Sequence, residues 1–227
     1  MPEYIGTDNL EIMEDAVNYN NFLVSLIEKE AKFGDKIVDF GAGIGTFAKA
    51  LHKTGYQVHC IEPDGQQLLK ILESGLTASP NLTCLDNSSV DLIYTLNVLE
   101  HIDDDTSVLK LFYDKIKPGG RLLIYVPAFQ ILYSKMDRNV GHIRRYTRAE
   151  LLHKVNAAGF TIRKNEYVDS AGFFASLLFK LFGNDDGSIN KKALIIYDRY
   201  LFPLSRMADF AFKKLFGKNV FLLALRR

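Results

Sequence analysis

The stretch that decides the fold is Ile37-Val-Asp-Phe-Gly-Ala-Gly-Ile-Gly-Thr-Phe-Ala-Lys-Ala-Leu51. Its first four residues form a short, mostly apolar run of the kind found in a central parallel strand. The glycines that follow, Gly41, Gly43 and Gly45, let the backbone turn sharply and approach a ligand without a Cβ in the way. A helix that begins near Thr46 would point free N–H groups at the same ligand. The stretch therefore predicts a strand, a ligand-binding glycine loop and a helix.

A second acidic position follows the next predicted strand, residues 57–61. That strand ends at Glu62, and an acidic side chain at this place can accept hydrogen bonds from both hydroxyls of a ribose. The pattern therefore indicates a ligand that contains a nucleoside.

The glycine spacing departs from the dinucleotide fingerprint G-x-G-x-x-G, which would need a third glycine at Thr46 rather than at Gly45. With Asp39 ahead of the loop and Glu62 after the second strand, the arrangement resembles the first two motifs of the class I S-adenosylmethionine-dependent methyltransferases. The resemblance implies that Asp39 lies near the amino-acid end of S-adenosylmethionine and that Glu62 holds its ribose. An NAD site and a turn without a ligand are the alternatives.

Strands and helices alternate along the chain, which predicts a parallel, doubly wound α/β sheet. The expected strands 3 to 5 are residues 81–85, 90–95 and 121–127, with a tight turn at 117–120 before the last of these. The segments 91–102 and 117–120 also resemble later motifs of the same family. The resemblance implies a Rossmann-like sheet of seven strands, mostly parallel, with an antiparallel last strand.

We expect residues 1–227 to form a single methyltransferase domain in four parts. These are an N-terminal helical cap (1–35, with a helix over 9–32), a cofactor-binding core (36–169), a helical insertion (170–218) and the last strand (219–227). The insertion separates strands 6 and 7, which the family usually joins by a short turn. It is apolar and helical in pattern, and it has three interpretations: a lid over the substrate cleft with a dimer contact, a lipid-facing patch, or structural padding.

The chain carries 28 Lys and Arg against 27 Asp and Glu, a net charge of +1, which argues against a general nucleic-acid binder. The charge is uneven, because residues 170–227 hold 10 basic and 4 acidic side chains. Any anionic surface would therefore meet the C-terminal part. The two cysteines, Cys60 and Cys84, do not resemble a disulfide framework. With no signal peptide and no long apolar run, we expect a cytoplasmic protein.

The cofactor is expected at the carboxyl ends of the strands, as in other open α/β sheets. The predicted cofactor contacts are Asp39, Gly41, Ala42, Gly43, Gly45, Glu62, Pro63, Asp86, Asn87, Leu96 and Asn97. Asp86 is included because the family contacts adenine after strand 3. Since only four residues separate it from Asp91, Asn87 or Ser88 is the alternative.

The loop over residues 133–146 gathers polar, aromatic and basic side chains on the same rim. It resembles a subset of small-molecule methyltransferases, several of which accompany glycan or lipid assembly. Arg144 or Arg145 would hold an anionic group of the substrate. The predicted substrate contacts are Tyr19, Tyr133, Arg144, Arg145 and Tyr146. The alternative is that the arginines and His142 pin the loop to the fold through carboxylates such as Asp137.

Two histidines are candidate bases, His142 in this loop and His101 after strand 4. Packing at a helix start is the alternative for His101. The aspartates at 103–105 are expected to cap a helix, and we predict no metal site.

The sequence thus predicts methyl transfer from S-adenosylmethionine to a small molecule by in-line displacement, with an anionic or lipid- or glycan-related acceptor. Such a reaction depends mainly on holding the nucleophile aligned with the methyl group. The alternatives are a module that binds S-adenosylmethionine without catalysis and, less favoured, an RNA methyltransferase. We expect no nucleic-acid partner. A peripheral membrane contact through the insertion and a homodimer are further expectations.

Overall fold

Seven strands form one sheet in the computed structural model, which describes residues 12–182 and 190–227. The strands are β1 (Ile37–Phe40), β2 (Val58–Ile61), β3 (Thr77–Ser79), β4 (Val90–Leu96), β5 (Ile116–Pro127), β6 (Thr161–Val168) and β7 (Asn219–Leu225). Their order is β3-β2-β1-β4-β5-β7-β6. Strands β1 to β5 pair in parallel, and β7 runs antiparallel to both β5 and β6. This confirms the predicted sheet with its antiparallel last strand.

Helices cover both faces of the sheet. They are α1 (Val17–Glu28), α2 (Thr46–Lys53), α3 (Gly65–Glu73), α4 (Asp105–Lys115), α5 (Lys135–Asn139), α6 (Arg148–Ala157), α7 (Ser170–Phe182), α8 (Lys191–Ile196) and α9 (Phe202–Phe212). Buried residues of α4 and α6 pack on one face of the sheet, and buried residues of α1, α2 and α3 pack on the other. The strands between them are apolar on both faces, as a sheet buried on two sides requires.

The third strand lies earlier than predicted. β3 pairs with β2 at Thr77–Ser79, whereas Leu82–Cys84 form a 3₁₀ turn instead of a strand. The side chain of Asn81 accepts a hydrogen bond from the backbone N–H of Thr83 at 3.0 Å, which stabilises the turn. The expected strand at 81–85 is therefore wrong, and the carboxyl end of β3 is Ser79.

Two further boundaries differ. Residues 117–120 lie within β5 rather than in a separate turn, although the pairing of β4 with β5 shifts register between Val90 and Leu92. The helix expected over residues 9–32 is α1, from Val17 to Glu28, and residues 9–11 lie outside the described residues. A capping box formed by Thr147 and Glu150 begins α6.

The insertion between β6 and β7 consists of α7, α8, a π-helical turn at Tyr197–Leu201, and α9. The Asp198 carboxylate accepts hydrogen bonds from the backbone N–H groups of Asn18 (2.9 Å) and Tyr19 (2.8 Å) at the start of α1. The insertion is thus tied to the N-terminal helix beside the carboxyl ends of β4 and β5. No helix in the described ranges has both the length and the hydropathy needed to span a bilayer.

Candidate active site

The glycine loop after β1 is shaped by backbone conformations that favour glycine. Gly41, Gly43 and Gly45 have φ angles of +78°, +57° and +79°. A Cβ on Gly41 would stand 2.4 Å from a methyl carbon of Val98. The loop also folds against β2, because Gly41 N–H donates to the carbonyl of Ile61 at 2.8 Å. Backbone alone therefore lines this part of the site.

Glu62 is held against the same loop by two backbone N–H groups. One oxygen of its carboxylate accepts from Gly43 at 2.7 Å and the other from Asp64 at 3.0 Å. The residue is buried, and burial raises the pKa of its carboxyl while these two hydrogen bonds oppose the rise. The side chain is thereby fixed at the carboxyl end of β2, where the sequence placed it.

Asp39 lies in β1, just ahead of the loop, and is also buried. Burial raises the pKa of its carboxyl to about 7, with the Tyr94 hydroxyl beside it acting in the opposite direction. Its Oδ2 atom has no hydrogen-bond partner among the described residues. A buried carboxylate oxygen without a partner is costly, and a cationic group of a ligand would satisfy it.

Asn97, directly after β4, completes this half of the site. It has a φ of +55°, an uncommon backbone conformation for a residue other than glycine. Its N–H donates to the carbonyl of Tyr125 at 2.7 Å, and the Asn219 amide lies 3.5 Å from its side-chain oxygen. The partly buried Tyr19 reaches the same place: desolvation raises the pKa of its hydroxyl to about 12, and hydrogen bonding to Asn97 and Tyr125 opposes this. The structure thus brings Tyr19 and Asn97 together.

Asp86 and Asn87 are not part of this group. The Asn87 side chain accepts from Lys115 at the end of α4, and Ser88 N–H donates to the carbonyl of Asp114. These contacts lie at the amino end of β4, across the sheet from Glu62. The structure therefore does not bring Asp86 or Asn87 together with the other predicted cofactor contacts, because that prediction depended on the misplaced third strand. Ser79 stands at the right end instead, with its carbonyl accepting from Glu62 N–H at 3.0 Å.

A second cluster joins the turn after β4 to the loop after β5. His142 Nδ1 lies 2.7 Å from Asp137 Oδ1, and its Nε2 lies 3.7 Å from Glu100 Oε1. The ring of His142 packs edge-on against His101, with 4.6 Å between ring centroids. The two histidines predicted from separate segments are thus neighbours, and Glu100 lies with them.

The pKa values of three ionisable groups in this cluster are strongly shifted. Glu100 is fully buried with no hydrogen-bond partner for either carboxylate oxygen among the described residues, and burial raises its pKa to about 8. Burial, and then the neighbouring His142, lower the pKa of His101 to about 4. Burial would raise the pKa of Asp137, but hydrogen bonds from His142 and Arg145 outweigh it and hold the pKa below its usual range.

Arg145 and Tyr146 build this loop rather than face a ligand. The Arg145 guanidinium donates from Nε and Nη2 to the two oxygens of Asp137 at 2.9 and 3.0 Å. The buried Tyr146 hydroxyl shares its single proton between two acceptors, Asp105 Oδ2 at 2.7 Å and the carbonyl of Leu99 at 3.0 Å. Both side chains thus have protein partners, and the substrate role expected for them stays a prediction.

Arg144 and Tyr133 also have protein partners. Arg144 pairs with Asp105 at 3.2 Å and remains partly exposed, and the Tyr133 hydroxyl donates to the carbonyl of His142 at 2.6 Å. The alternative in which arginines and carboxylates pin the loop to the fold thus describes most of residues 133–146.

Comparison with known proteins identifies this architecture. A family described as a methyltransferase domain matches residues 15–165, well over half of the chain. The chain belongs to the methyltransferase domain family. It is a class I S-adenosylmethionine-dependent methyltransferase, which confirms the family that the glycine loop and Glu62 resemble.

Three relatives show the range of this similarity. The methyltransferase is 28% identical over 177 residues to the ubiquinone biosynthesis O-methyltransferase of Aeromonas salmonicida, covering 68% of this chain and 74% of the relative. A chain of the Haloferax volcanii complex between the Trm112 methyltransferase activator and a methyltransferase has a TM-score of 0.68 at 15% identity, with 100% and 99% covered. The geranyl diphosphate C-methyltransferase of Streptomyces coelicolor, solved with S-adenosyl-L-homocysteine, has a TM-score of 0.63 at 14% identity, with 91% and 79% covered.

The chemistry of the cofactor-side residues fits S-adenosylmethionine. The unpartnered oxygen of Asp39 suits an ammonium group, the Glu62 carboxylate suits ribose hydroxyls, and the glycine loop leaves room for close approach. When bound, the cofactor supplies a methyl group on a positively charged sulfur, already activated for displacement. This methyltransferase therefore needs to position the acceptor and, where required, to remove its proton.

Glu100 was missed as a site residue. Its position in the sequence could have indicated it, because Glu100 directly precedes His101 and closely follows Leu96 and Asn97, which were predicted to contact the cofactor. Ligand atoms of Glu100, His101 and His142 lie within 4.8 Å of one another, a spacing at which they could share a metal ion. No metal was expected from the sequence, because the aspartates at 103–105 that follow His101 were expected to cap a helix.

Proposed function

We propose that this methyltransferase moves the sulfonium methyl of S-adenosylmethionine to a protonated nucleophile of a small-molecule acceptor, with His142 as the general base. The observation that carries the proposal is the 2.7 Å contact of His142 Nδ1 with Asp137, which leaves Nε2 directed toward Glu100. A base is needed only where the acceptor holds a proton of high pKa, as a hydroxyl does. The relative from Aeromonas salmonicida, named as an O-methyltransferase, agrees with a hydroxyl.

On the cofactor side, we propose that Asp39 receives the ammonium group and Glu62 the ribose hydroxyls. Leu96 and Asn97 would lie beside the methionine part, and Ser79 and the exposed Pro63 beside adenine. The support is that these residues all stand at the carboxyl ends of β1 to β4, where ligands of open α/β sheets bind.

The reaction would be an in-line displacement. The acceptor oxygen attacks the methyl carbon, the carbon–sulfur bond breaks, and S-adenosylhomocysteine leaves with the electron pair on sulfur. The acceptor proton passes to His142 Nε2. Asp137 fixes the ring orientation and stabilises the imidazolium that forms, as an aspartate does in other histidine-dependent sites.

His142 is favoured over His101 as the base on two grounds. His101 Nδ1 lies 3.2 Å from the carbonyl of Gly141 rather than near a carboxylate. Its pKa, lowered by burial to about 4, also makes it a weaker acceptor of a proton near neutral pH.

We further propose an acceptor with an anionic group. Lys218 supports this: it is half-buried between the insertion and the loop at 133–146, with its ammonium 6.0 Å from the ring centroid of Tyr197. Within the described ranges no carboxylate lies at ion-pair distance from it, and Tyr197 instead donates to Asp169 at 2.5 Å. An acceptor carboxylate or phosphate would supply that partner. The predicted homodimer and cytoplasmic location stay predictions.

The test is release of S-adenosylhomocysteine from a panel of hydroxylated small-molecule acceptors, together with calorimetric titration of S-adenosylmethionine and, as a control ligand, NAD. We expect His142→Gln to lower kcat by about 10²-fold or more and to leave the affinity for S-adenosylmethionine unchanged. His153→Gln, at an exposed histidine of α6, is the matched control and should change neither.

Two outcomes would reject the proposal. If His142→Gln lowers the melting temperature but not kcat, the histidine only holds the loop. If S-adenosylmethionine binds and no acceptor of the panel is methylated, the module that binds without catalysis is favoured instead.

A further inference from the structure

The outward side of the insertion exposes large apolar side chains to an unusual degree. Phe210 is 89% exposed and Met207 75%, and both lie on α9. Leu181 on α7, Leu204 on α9 and Leu215 after it are each more than 60% exposed. We call this surface the apolar face. Contiguous exposed apolar surface of this kind marks an interaction site.

Helix α9 exposes more apolar side chains than an ordinary surface helix. Its inward side buries Phe202 and two polar residues, Ser205 and Asp209, while Leu204, Met207 and Phe210 are exposed. The buried polar groups have partners: Ser205 Oγ accepts from Ala171 N–H at 2.8 Å, and Asp209 accepts from Ser170 N–H at 2.8 Å. A helix in water would place its apolar stripe against the core. The outward stripe therefore needs a partner outside the chain.

The exposed charged side chains in the described part of the insertion are all positive, although Lys191 pairs with Asp15 at 2.7 Å. The described part of the insertion, residues 170–182 and 190–218, holds only two acidic residues, and both Asp198 and Asp209 are buried in contacts with the core. The exposed charged residues there are cations: Lys180, Lys191, Lys192, Arg199 and Lys214. An apolar face rimmed by cations complements an anionic, apolar surface.

We propose that the apolar face docks this methyltransferase onto the surface of an anionic phospholipid bilayer. The apolar side chains would enter the boundary between headgroups and acyl chains, and the cations would lie among the phosphates, as in interfacial amphipathic helices. A second copy of the chain fits less well, because a symmetric dimer would bring the same cations against one another. The docking does not depend on the identity of the base or of the acceptor.

Docking through the apolar face would also affect how the acceptor reaches the site, because the insertion lies between the two. On its inner side the insertion contacts the start of α1, where Asp198 accepts from the backbone N–H of Tyr19, whose hydroxyl lies at Asn97. It also contacts the residue after β6, where Tyr197 donates to Asp169. The docked face and the acceptor side of the site are thus opposite sides of one helical layer. Docking would hold the site beside the bilayer, where amphiphilic acceptors are concentrated.

The test is co-sedimentation of the full chain with vesicles of phosphatidylcholine alone and of phosphatidylcholine mixed with phosphatidylglycerol. We expect binding to the mixed vesicles that weakens at high salt. The double substitution Met207→Ser with Phe210→Ser should reduce the partition coefficient about tenfold or more. Lys192→Glu with Lys214→Glu should remove most of the preference for phosphatidylglycerol.

The matched control is Leu69→Ser with Leu72→Ser, which changes two exposed leucines of α3 away from the insertion. It should bind vesicles as the unchanged chain does. All variants alter exposed side chains, and circular dichroism and affinity for S-adenosylmethionine verify that each is folded. The proposal is overturned if the unchanged chain does not bind mixed vesicles, or if the Met207 and Phe210 variant binds them equally. It is also overturned if light scattering shows a dimer that this variant abolishes while vesicle binding persists.

Discussion

The two halves of the site are built by contacts of very different range. On the cofactor side, Gly43 and Glu62 are joined across 19 residues, and the loop is held mostly by backbone groups. On the acceptor side, Tyr146 reaches Leu99 across 47 residues and Asp198 reaches Asn18 across 180. The first half is a local motif, whereas the second is assembled from segments that only the fold brings together.

The two halves of the site also differ in whether backbone conformation or side-chain hydrogen bonds hold them in place. Backbone conformation shapes the glycine loop, so a single added Cβ disturbs it. Side-chain networks shape the loop at 133–146, where Asp137 alone accepts from His142, Arg145 and Ser134. The halves should therefore fail in different ways when residues are changed.

The largest effect on stability is expected on the acceptor side, from Arg145→Lys. A lysine cannot reproduce the two parallel hydrogen bonds to Asp137, which is 2% exposed, so we expect unfolding to become easier by about 3 kcal/mol. Arg144→Lys, at a partly exposed pair, should cost less than about 1 kcal/mol. Urea titrations of both variants measure this, and equal losses would show that the network at Asp137 is not what holds the loop.

On the cofactor side, Gly41→Ala should cost about 2 kcal/mol of stability and weaken binding of S-adenosylmethionine, because it combines a positive φ with the contact to Val98. Gly34→Ala is the matched control. It has a similar φ of +88° but open space around it, so it should cost only about 1 kcal/mol and leave affinity intact. Adding Val98→Ala to Gly41→Ala should restore part of the loss. No restoration would mean that backbone strain alone is responsible.

A smaller effect depends on pH and concerns Glu100. With a pKa of about 8 in the fold against 4.5 when unfolded, this carboxyl keeps a proton on folding that the unfolded chain gives up. Its contribution to stability is therefore full below about pH 4.5 and falls as pH rises toward 8. Glu100→Gln should remove most of that fall, seen as melting temperatures that decline less between about pH 5 and about pH 8. Parallel curves for the two proteins would contradict a buried, unpaired carboxyl.

The smallest effect is expected from Asp86→Ala, which should leave the affinity for S-adenosylmethionine within about twofold because the residue lies at the other end of β4. Glu62→Ala, which removes the proposed ribose contact, should weaken it at least about tenfold. Isothermal titration of both variants compares them directly. A loss at Asp86 as large as at Glu62 would reverse the correction to the third strand.

Most of the fold followed from local pattern. Alternating strands and helices, the glycine loop and the two acidic residues, Asp39 in β1 and Glu62 after β2, were predicted within windows of about 30 residues, the length of a βαβ unit. The wrong prediction of a strand at 81–85 has a local cause as well. The side chain of Asn81 stabilises a turn, whereas the apolar residues next to it have a pattern typical of a strand.

The amino-acid sequence by itself determined the mostly parallel sheet with its antiparallel last strand, the family and the glycine loop, because a strand, a turn with positive φ angles and a helix start are encoded by neighbours along the chain. Tertiary structure alone decided that Glu100 joins His101 and His142, that Arg145 and Tyr146 face the protein, and that α9 turns its apolar side outward. These outcomes depend on burial and on which charged groups, distant in sequence, lie within about 3 Å, the range of a hydrogen bond. The periodicity of the sequence does not predict such contacts.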